Sequence, residues 1–175
     1  MTLIISINTL LFVIVLLYAA WSDFSRWKIP NGTVLALVAL YAARAVAQLW
    51  TTQDVGATLF SPTGIGADVA AGLLLFMLGV GLWGFGLFGA GDAKLFLPIG
   101  LFVGWNGMLL FAFFLLVFGI VSLLMLRLRI PLPLAHFGLM LRIEEIRTSR
   151  KVPYGVVMVF AALATLAVTQ GYRAV

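Results

Sequence analysis

The sequence predicts an all-α polytopic membrane protein with six transmembrane helices, and three observations support this class. Hydrophobic residues make up 63% of the 175 residues and charged residues only 10%, whereas a soluble domain carries roughly 45–50% apolar and about 25% charged residues. The mean hydropathy of +1.16 agrees with this contrast. Six crossings of about 20 residues each account for most of the chain. We therefore expect one membrane-embedded domain over residues 1–175, with no large extramembrane part.

Six apolar segments are separated by polar or helix-breaking residues. They cover residues 3–21, 33–50, 69–88, 93–105, 108–126 and 153–172. The breaks are Pro30-Asn31, the Thr-, Gly- and Pro-rich stretch 51–66, the Gly89–Gly91 turn, Asn106-Gly107 and the long polar stretch 127–152. The fourth segment is short, because thirteen residues extend about 20 Å and the hydrocarbon core is about 30 Å thick. We keep it as a crossing, since otherwise the basic stretch 127–152 would face outward.

The basic residues predict the orientation. Nine of the eleven lie after the first, third and fifth segments, and basic loops face the cytoplasm. Both termini are therefore expected outside the cytoplasm, with those three loops inside. The net charge of +5 reports this topology and does not indicate a nucleic-acid partner.

Metal and cofactor chemistry is not expected. The chain has no cysteine and one histidine, His136, which excludes thiolate zinc sites and makes a poor metal site. It also lacks an HExxH motif and a GxSG nucleophile, so zinc and serine proteases are unsupported.

Two of the six acidic residues stand out. Asp23 follows the first apolar segment and Asp92 opens the fourth, so the predicted topology puts both at the inner membrane face. Ionisable residues within a membrane segment are functional candidates by default. The remaining acids are expected to be solvated loop or surface charges; they are Asp54, Asp68, Glu144 and Glu145.

Two carboxyls at one depth suit acid–base chemistry. If they are close, their like charges resist double ionisation and the pair holds one proton. The ionised member can then deprotonate a water while the protonated member hydrogen-bonds a scissile carbonyl. The Gly-x-Gly turn before Asp92 either lets the backbone pass close to an extended substrate or is a plain helix break, and composition leaves both open.

Three motifs resemble those of the type IV prepilin peptidases. Gly89-Ala90-Gly91-Asp92 is a GxGD motif that continues to Lys94, residues 23–31 match the D-x5-IPN element after span 1, and Pro153-Tyr154-Gly155 resembles the PYG element. The motifs occur in the family order and on the expected segments.

The resemblance implies a GxGD aspartyl protease of the bacterial inner membrane. Such enzymes cleave the leader of type IV prepilin or pseudopilin substrates at the cytoplasmic side. Asp23 and Asp92 match the catalytic aspartates, and Gly89 and Gly91 match the motif glycines. The matching elements near the site are Pro30, Asn31, Pro153, Tyr154 and Gly155. The chain resembles the short, peptidase-only type of the Flp/tight-adherence pili, so methyltransferase activity is not expected.

Several other residues have more than one possible role. Lys94 either pairs with the aspartates or substrate, or anchors the chain at the inner interface. Arg44 either contacts substrate or has a structural role, in which it snorkels outward or pairs inside the bundle. Residues 134–147 form a candidate interfacial helix. The glycines of the third segment permit close helix packing or make the segment pliable; they are Gly72, Gly79, Gly81, Gly84 and Gly86.

Two alternative functions stay open on sequence alone. A small proton-coupled transporter also uses aspartates within the membrane, but it should show inverted repeats or helices broken at the midplane. A non-catalytic membrane subunit of a secretion or pilus machine would not need both aspartates.

Overall fold

The computed structural model describes the backbone of residues 2–127 and 153–174, and side chains over 7–125 and 153–169. The described residues form helices and no strand. The helices are α1 Thr2–Arg26, α2 Asn31–Thr51, α3 Val55–Phe60, α4 Ile65–Gly84, α5 Ala90–Arg127 and α6 Tyr154–Ala174. The all-α prediction is confirmed, while the predicted interfacial helix at 134–147, His136, Glu144 and Glu145 lie outside the described residues.

Helix α1 is longer than the first apolar segment. The prediction ended at residue 21, but the helix continues to Arg26. Trp27 then takes a left-handed conformation with φ of 54°, which ends the helix, and α2 begins at Asn31 after Pro30. As a result, Asp23 lies on the last turn of α1, in agreement with the prediction that it ends the first span.

The connection between α2 and α4 contains its own short helix. Asp54 caps α3, because its Oδ1 accepts a hydrogen bond of 2.9 Å from the Ala57 amide. Helix α4 then begins at Ile65, four residues before the predicted third segment. Asp68 therefore lies within α4 and not in a solvated loop.

Helix α5 reverses direction at Gly104. This residue has non-helical backbone angles, φ 69° and ψ 173°. The rings of Phe96 and Phe111 lie 6.4 Å apart, although fifteen residues of straight helix would separate them by about 22 Å. The two arms, 90–103 and 105–127, therefore pack against each other as a hairpin. The reversal lies two residues before the predicted Asn106-Gly107 turn, and those two residues belong to the second arm.

The first arm of α5 packs closely against α4 through glycines. A Cβ on Gly79 would come within 3.1 Å of the Ala93 Cα, and a Cβ on Gly100 within 2.6 Å of the Gly72 Cα. At the end of the arm, a Cβ on Gly104 would meet the Asp68 carboxylate at 2.5 Å. These three contacts progress in opposite directions along the two helices, so α4 and the first arm of α5 are antiparallel.

The core lies between α1, α2, α4, both arms of α5 and α6. Its largest fully buried side chains include Phe12, Leu16, Ile99, Phe111 and Met158. Many large apolar side chains point outward instead, as expected for a protein whose solvent is lipid.

Four stretches of the described chain are long and apolar enough to cross a membrane. They are Ile7–Arg26, Asn31–Thr51, Val55–Gly84 and Ala90–Met125, and Tyr154–Thr169 is a shorter apolar helix. The composition and the lengths of these helices are thus those of a multi-pass membrane protein. Six crossings and the orientation of the termini remain predictions.

Candidate active site

Asp23 is buried at the C-terminal end of α1. Its side chain is only 6% exposed. The Asp23 Oδ2 atom accepts a hydrogen bond of 2.9 Å from the Gly155 amide, which belongs to the first turn of α6. Because that amide has no partner within its own helix, the Asp23 carboxylate satisfies it. The contact joins residues 132 positions apart in the chain.

Asp92 caps the N-terminus of α5. The first intrahelical bond runs from the Ala93 amide to the Gly89 carbonyl at 3.1 Å, and Asp92 Oδ2 accepts a bond of 3.2 Å from the Gly89 amide. This is the reciprocal half of a capping box, in which the third helical residue bonds back to the cap residue. The spacing of the GxGD motif therefore has a local structural reason as well as a chemical one.

The two carboxyl groups share one small region. Asp92 is 9% exposed, and its carboxyl interacts electrostatically with Asp23 and with the Gly155 amide. Gly155 thus lies between the two acids. A Cβ at this position would come within 2.7 Å of Asp23 Oδ2 and 3.0 Å of Ile29 Cδ1. Glycine is therefore required here by the close approach of the Asp23 carboxylate.

Ile29 packs between the N-terminal ends of α5 and α6. Ile29 is buried and lies beside both Gly155 and Gly91. If Gly91 carried a Cβ atom, that atom would lie 3.5 Å from the Ile29 Cβ. The preceding turn is held by Ser22, whose hydroxyl donates to the Lys28 carbonyl at 2.8 Å. The D-x5-IPN spacing therefore brings Ile29 back over the aspartate that precedes it by six residues.

The comparisons with known proteins bear on this arrangement. The family model described as "Type IV leader peptidase family" matches residues 10–124, which cover about two thirds of the chain and include both aspartates. The chain belongs to the type IV leader peptidase family. The searches of curated proteins and of solved structures return no significant match. The family membership makes the chain a protease with prepilin-like substrates and favours neither the transporter nor the non-catalytic subunit.

The remaining motif residues of this leader peptidase surround the aspartates. The Lys94 ammonium donates to Asn31 Oδ1 at 3.0 Å in an exposed position. The Pro30 carbonyl accepts from the Thr33 amide at 3.1 Å and so starts α2. Pro153 does the same for α6, with its carbonyl bonded to the Val156 amide at 3.1 Å.

Two aromatic residues close one side of the region. The rings of Phe88 and Tyr154 lie 4.7 Å apart, and Phe88 also contacts the Phe96 ring at 5.9 Å. Phe88 precedes the GxGD motif directly and Tyr154 is the central residue of the PYG element. The sequence motifs include Tyr154 and Ile29, although no role was predicted for Ile29, whereas Phe88 lies just outside the GxGD motif and was missed.

The two motif glycines differ in what surrounds them. A Cβ on Gly89 would meet Asp92 Oδ2 at 3.0 Å, whereas the nearest atom to a Cβ on Gly91 is Ile29 Cβ at 3.5 Å, an ordinary contact. Gly91 also lies within α5 and not in a turn. Packing therefore explains the glycine at position 89 and leaves room for a methyl group at position 91.

A second polar cluster lies at the other end of α4. The Tyr41 hydroxyl donates to Asp68 Oδ2 at 3.1 Å, and Arg44 is near enough to Tyr41 to interact with it electrostatically. The expectation that Asp68 is a solvated loop charge is therefore wrong, because the helix begins earlier and places the carboxylate against α2. No group of three or more metal-ligating side chains occurs within the described part of the chain.

Proposed function

We propose that this chain is an intramembrane aspartyl endopeptidase that removes the N-terminal leader of type IV prepilin-like proteins. The observation that carries the proposal is that two buried carboxyl groups, Asp23 and Asp92, are near enough to interact electrostatically, with the Gly155 amide bonded to Asp23. Leader peptidase chemistry needs a group that activates water and a group that polarises the scissile carbonyl, and a close carboxyl pair supplies both.

The reaction follows from one shared proton. The ionised carboxyl accepts a proton from a water, whose oxygen attacks the scissile carbonyl carbon, while the protonated carboxyl donates a hydrogen bond to the carbonyl oxygen. Collapse of the tetrahedral intermediate breaks the C–N bond, and the carboxyl that received the proton returns it to the leaving amine. The two acids titrate together, so the proposal assigns no fixed role to Asp23 or Asp92. It requires no metal, no cofactor and no covalent intermediate.

The hydrogen bonds around the pair support its preorganisation. Gly155 donates its backbone amide to Asp23 Oδ2 and Gly89 donates its amide to Asp92 Oδ2. Backbone donors held at helix starts do not need to reorganise during reaction. The two carboxyl groups are thus positioned by backbone amides at helix starts rather than by other, flexible side chains.

The proposed substrate enters sideways from lipid. Its apolar helix would lie in the bilayer, with the leader at the cytoplasmic face of the bacterial inner membrane, and the peptide bond near the membrane edge must unwind to reach the acids. Glycine at the cleavage point favours this step, since it is the poorest helix former after proline. The Lys94–Asn31 pair lies at the exposed rim and is placed to meet substrate backbone.

The proposed topology has six crossings with both termini outside the cytoplasm. The hairpin of α5 supports two crossings in that helix, because its arms lie side by side, and the basic loops place the aspartates at the cytoplasmic face. We also propose that the enzyme is a peptidase without methyltransferase activity, since the 175 residues contain no cysteine and so no CxxC pairs.

The deciding experiment is cleavage of a co-expressed prepilin by wild type, Asp23→Asn and Asp92→Asn. Asparagine preserves the size of the side chain and removes its acid–base function. We expect cleavage by wild type and loss in both variants, with equal membrane insertion of all three proteins. Cleavage by either variant would exclude the two-carboxylate mechanism, whereas failure of wild type on several prepilins would reopen the substrate class.

A further inference from the structure

The turn between α1 and α2 contains a residue in a strained backbone conformation. Trp27 has a φ of 54°, in the left-handed region that bulky residues rarely adopt. Glycine or asparagine would take this conformation at a lower cost. Such a conformation persists only when the surrounding structure holds it. The turn therefore requires contacts that fix the chain on both sides of Trp27.

A buried hydroxyl group supplies one of these contacts. Ser22 is 3% exposed, and its Oγ donates to the Lys28 carbonyl at 2.8 Å. The Trp27 amide donates to the Asp23 carbonyl at 2.9 Å, which fixes the side of the turn that leaves α1. The Ser22 bond fixes the other side, because it joins the last turn of α1 to the residue after Trp27. The bond thus closes the chain over the strained residue.

The Ser22 bond also orients Ile29, the next residue along the chain. The Lys28 carbonyl and the Ile29 nitrogen belong to one planar peptide unit, so a bond that holds the carbonyl also orients the nitrogen. A Cβ on Gly91 would lie 3.6 Å from the Ile29 nitrogen, and a Cβ on Gly155 would lie 3.0 Å from Ile29 Cδ1. Both the backbone and the side chain of Ile29 therefore pack against the starts of α5 and α6.

The same two helix starts hold the carboxyl pair. Gly91 directly precedes Asp92, and the Gly155 amide donates to Asp23 Oδ2 at 2.9 Å. A shift of Ile29 would therefore move the start of α5 relative to the start of α6, and with it one acid relative to the other. Ser22 acts on this distance from the helix turn that carries Asp23.

We propose that Ser22 is a positioning residue of the peptidase, whose hydroxyl sets the separation of Asp23 and Asp92. It acts through the Lys28–Ile29 peptide unit and the Ile29 side chain. This role rests on the proposed function for its effect on cleavage, whereas the hold on Ile29 can be measured without activity. Loss of the hydroxyl should lower kcat and leave KM nearly unchanged, because it shifts the reacting groups and leaves the surface that receives the substrate intact.

The first test is the kinetics of prepilin cleavage by Ser22→Ala and Ser25→Ala. Ser25 is the matched control, because its hydroxyl bonds to the Trp21 carbonyl at 2.7 Å within α1 and not to the turn. We expect Ser22→Ala to lower kcat about tenfold and to change KM by less than about twofold. Ser25→Ala should match wild type in both constants.

A double-mutant cycle shows whether Ser22 acts through Ile29. Ile29→Ala removes the side chain that packs between α5 and α6. In that background, Ser22→Ala should lower kcat by less than about twofold further, because the two residues act in series. Fully additive losses would overturn the proposed route from Ser22 to the acids.

The second test requires no cleavage. The chain has no cysteine, so Ile29→Cys introduces a single thiol at a buried position. Its rate of reaction with a water-soluble methanethiosulfonate, measured on the full chain in detergent micelles, reports how firmly the turn is held. We expect Ser22→Ala to raise this rate about threefold to tenfold, the effect of losing one hydrogen bond, and Ser25→Ala to leave it unchanged.

The two tests distinguish failure of this proposal from failure of the proposed function. Equal thiol rates with and without the Ser22 hydroxyl would overturn the positioning role, whether or not wild type cleaves prepilins. A faster thiol reaction with wild-type kcat in Ser22→Ala would also overturn it, because Ile29 would then move without effect on the acids. A faster thiol reaction in Ser22→Ala, together with a wild type that cleaves no prepilin, would support the hold on Ile29 and refute the proposed function.

Discussion

Replacement of Gly155 by alanine is the sharpest test of how the site is held. The added Cβ would lie 2.7 Å from Asp23 Oδ2 and 2.9 Å from Asp23 Cγ, closer than side-chain carbons approach such atoms. The carboxyl must therefore retreat by about half an ångström or more to restore van der Waals contact. The retreat would also lengthen the 2.9 Å bond from the Gly155 amide.

The expected loss follows from the geometry of the reacting groups. A displacement of about 1 Å at a catalytic centre lowers the rate about 100-fold, so we expect Gly155→Ala to reduce kcat/KM by about 10-fold to 100-fold. The matched control is Gly91→Ala, whose Cβ meets only Ile29 at 3.5 Å. It should stay within about threefold of wild type, because alanine fits the space and favours the helix.

The assay is cleavage of a purified prepilin by enzyme in proteoliposomes, with thermal unfolding measured on the same preparations. Alanine is a better helix former than glycine, so Gly155→Ala should lose activity without a matching loss of stability. Wild-type activity in Gly155→Ala would refute the role of the amide between the two acids. Equal losses of activity in Gly155→Ala and Gly91→Ala would mean that both glycines make room for the substrate and that neither is needed for the packing of Asp23.

Two further substitutions test the surroundings of the site. Gly100→Ala places a Cβ 2.6 Å from the Gly72 Cα and should lower the free energy of unfolding by about 1–3 kcal/mol. The control is Gly81→Ala, whose Cβ would have no atom within 4 Å and should not lower that free energy. Equal melting temperatures of the two variants would contradict the close packing of α4 and α5. Lys94→Met removes an exposed hydrogen bond to Asn31, which contributes about 0.5–1.5 kcal/mol, so kcat/KM should fall less than about tenfold. A loss as deep as that of an aspartate variant would instead place Lys94 at the reacting atoms.

The meeting of Asp23 and Asp92 was predictable in outline from the sequence. The basic loops predict that both acids lie at one membrane face, and the lengths of the apolar segments predict that they lie at helix ends. The sequence could not predict how the two acids are held, because this depends on Ile29 packing between α5 and α6 and on the Gly155 amide, which lies 132 residues from Asp23. Such long-range contacts leave no periodic pattern in the chain.

The error at Asp68 has a physical cause. Hydropathy places polar residues at the ends of apolar segments, and a carboxylate near a Gly- and Pro-rich stretch is usually solvated. The helix begins before the apolar segment does, however, because residues 65–68 form its first turn. Asp68 then finds the Tyr41 hydroxyl 27 positions away, a partner that local sequence does not indicate.

The reversal at Gly104 shows a similar limit. Asn-Gly is a strong turn signal, yet Asn106 and Gly107 lie in the second arm of the hairpin. The reversal needs a left-handed φ of 69° at a point where the backbone touches Asp68. Only glycine combines that backbone conformation with the absence of a Cβ, so packing against α4 decides which of the two glycines makes the turn.

The glycines of α4 support a rigid attachment of Asp92 rather than a pliable one. Gly72 and Gly79 face α5 at distances that exclude a Cβ, whereas Gly81 and Gly84 have open space around them. A close contact that excludes even a methyl group resists sliding, because any shift brings backbone atoms into collision. Gly79 lies against Ala93, the residue after Asp92, so this contact fixes the start of α5. Movement that admits substrate is therefore expected outside the start of α5, while the depth of Asp92 stays constant.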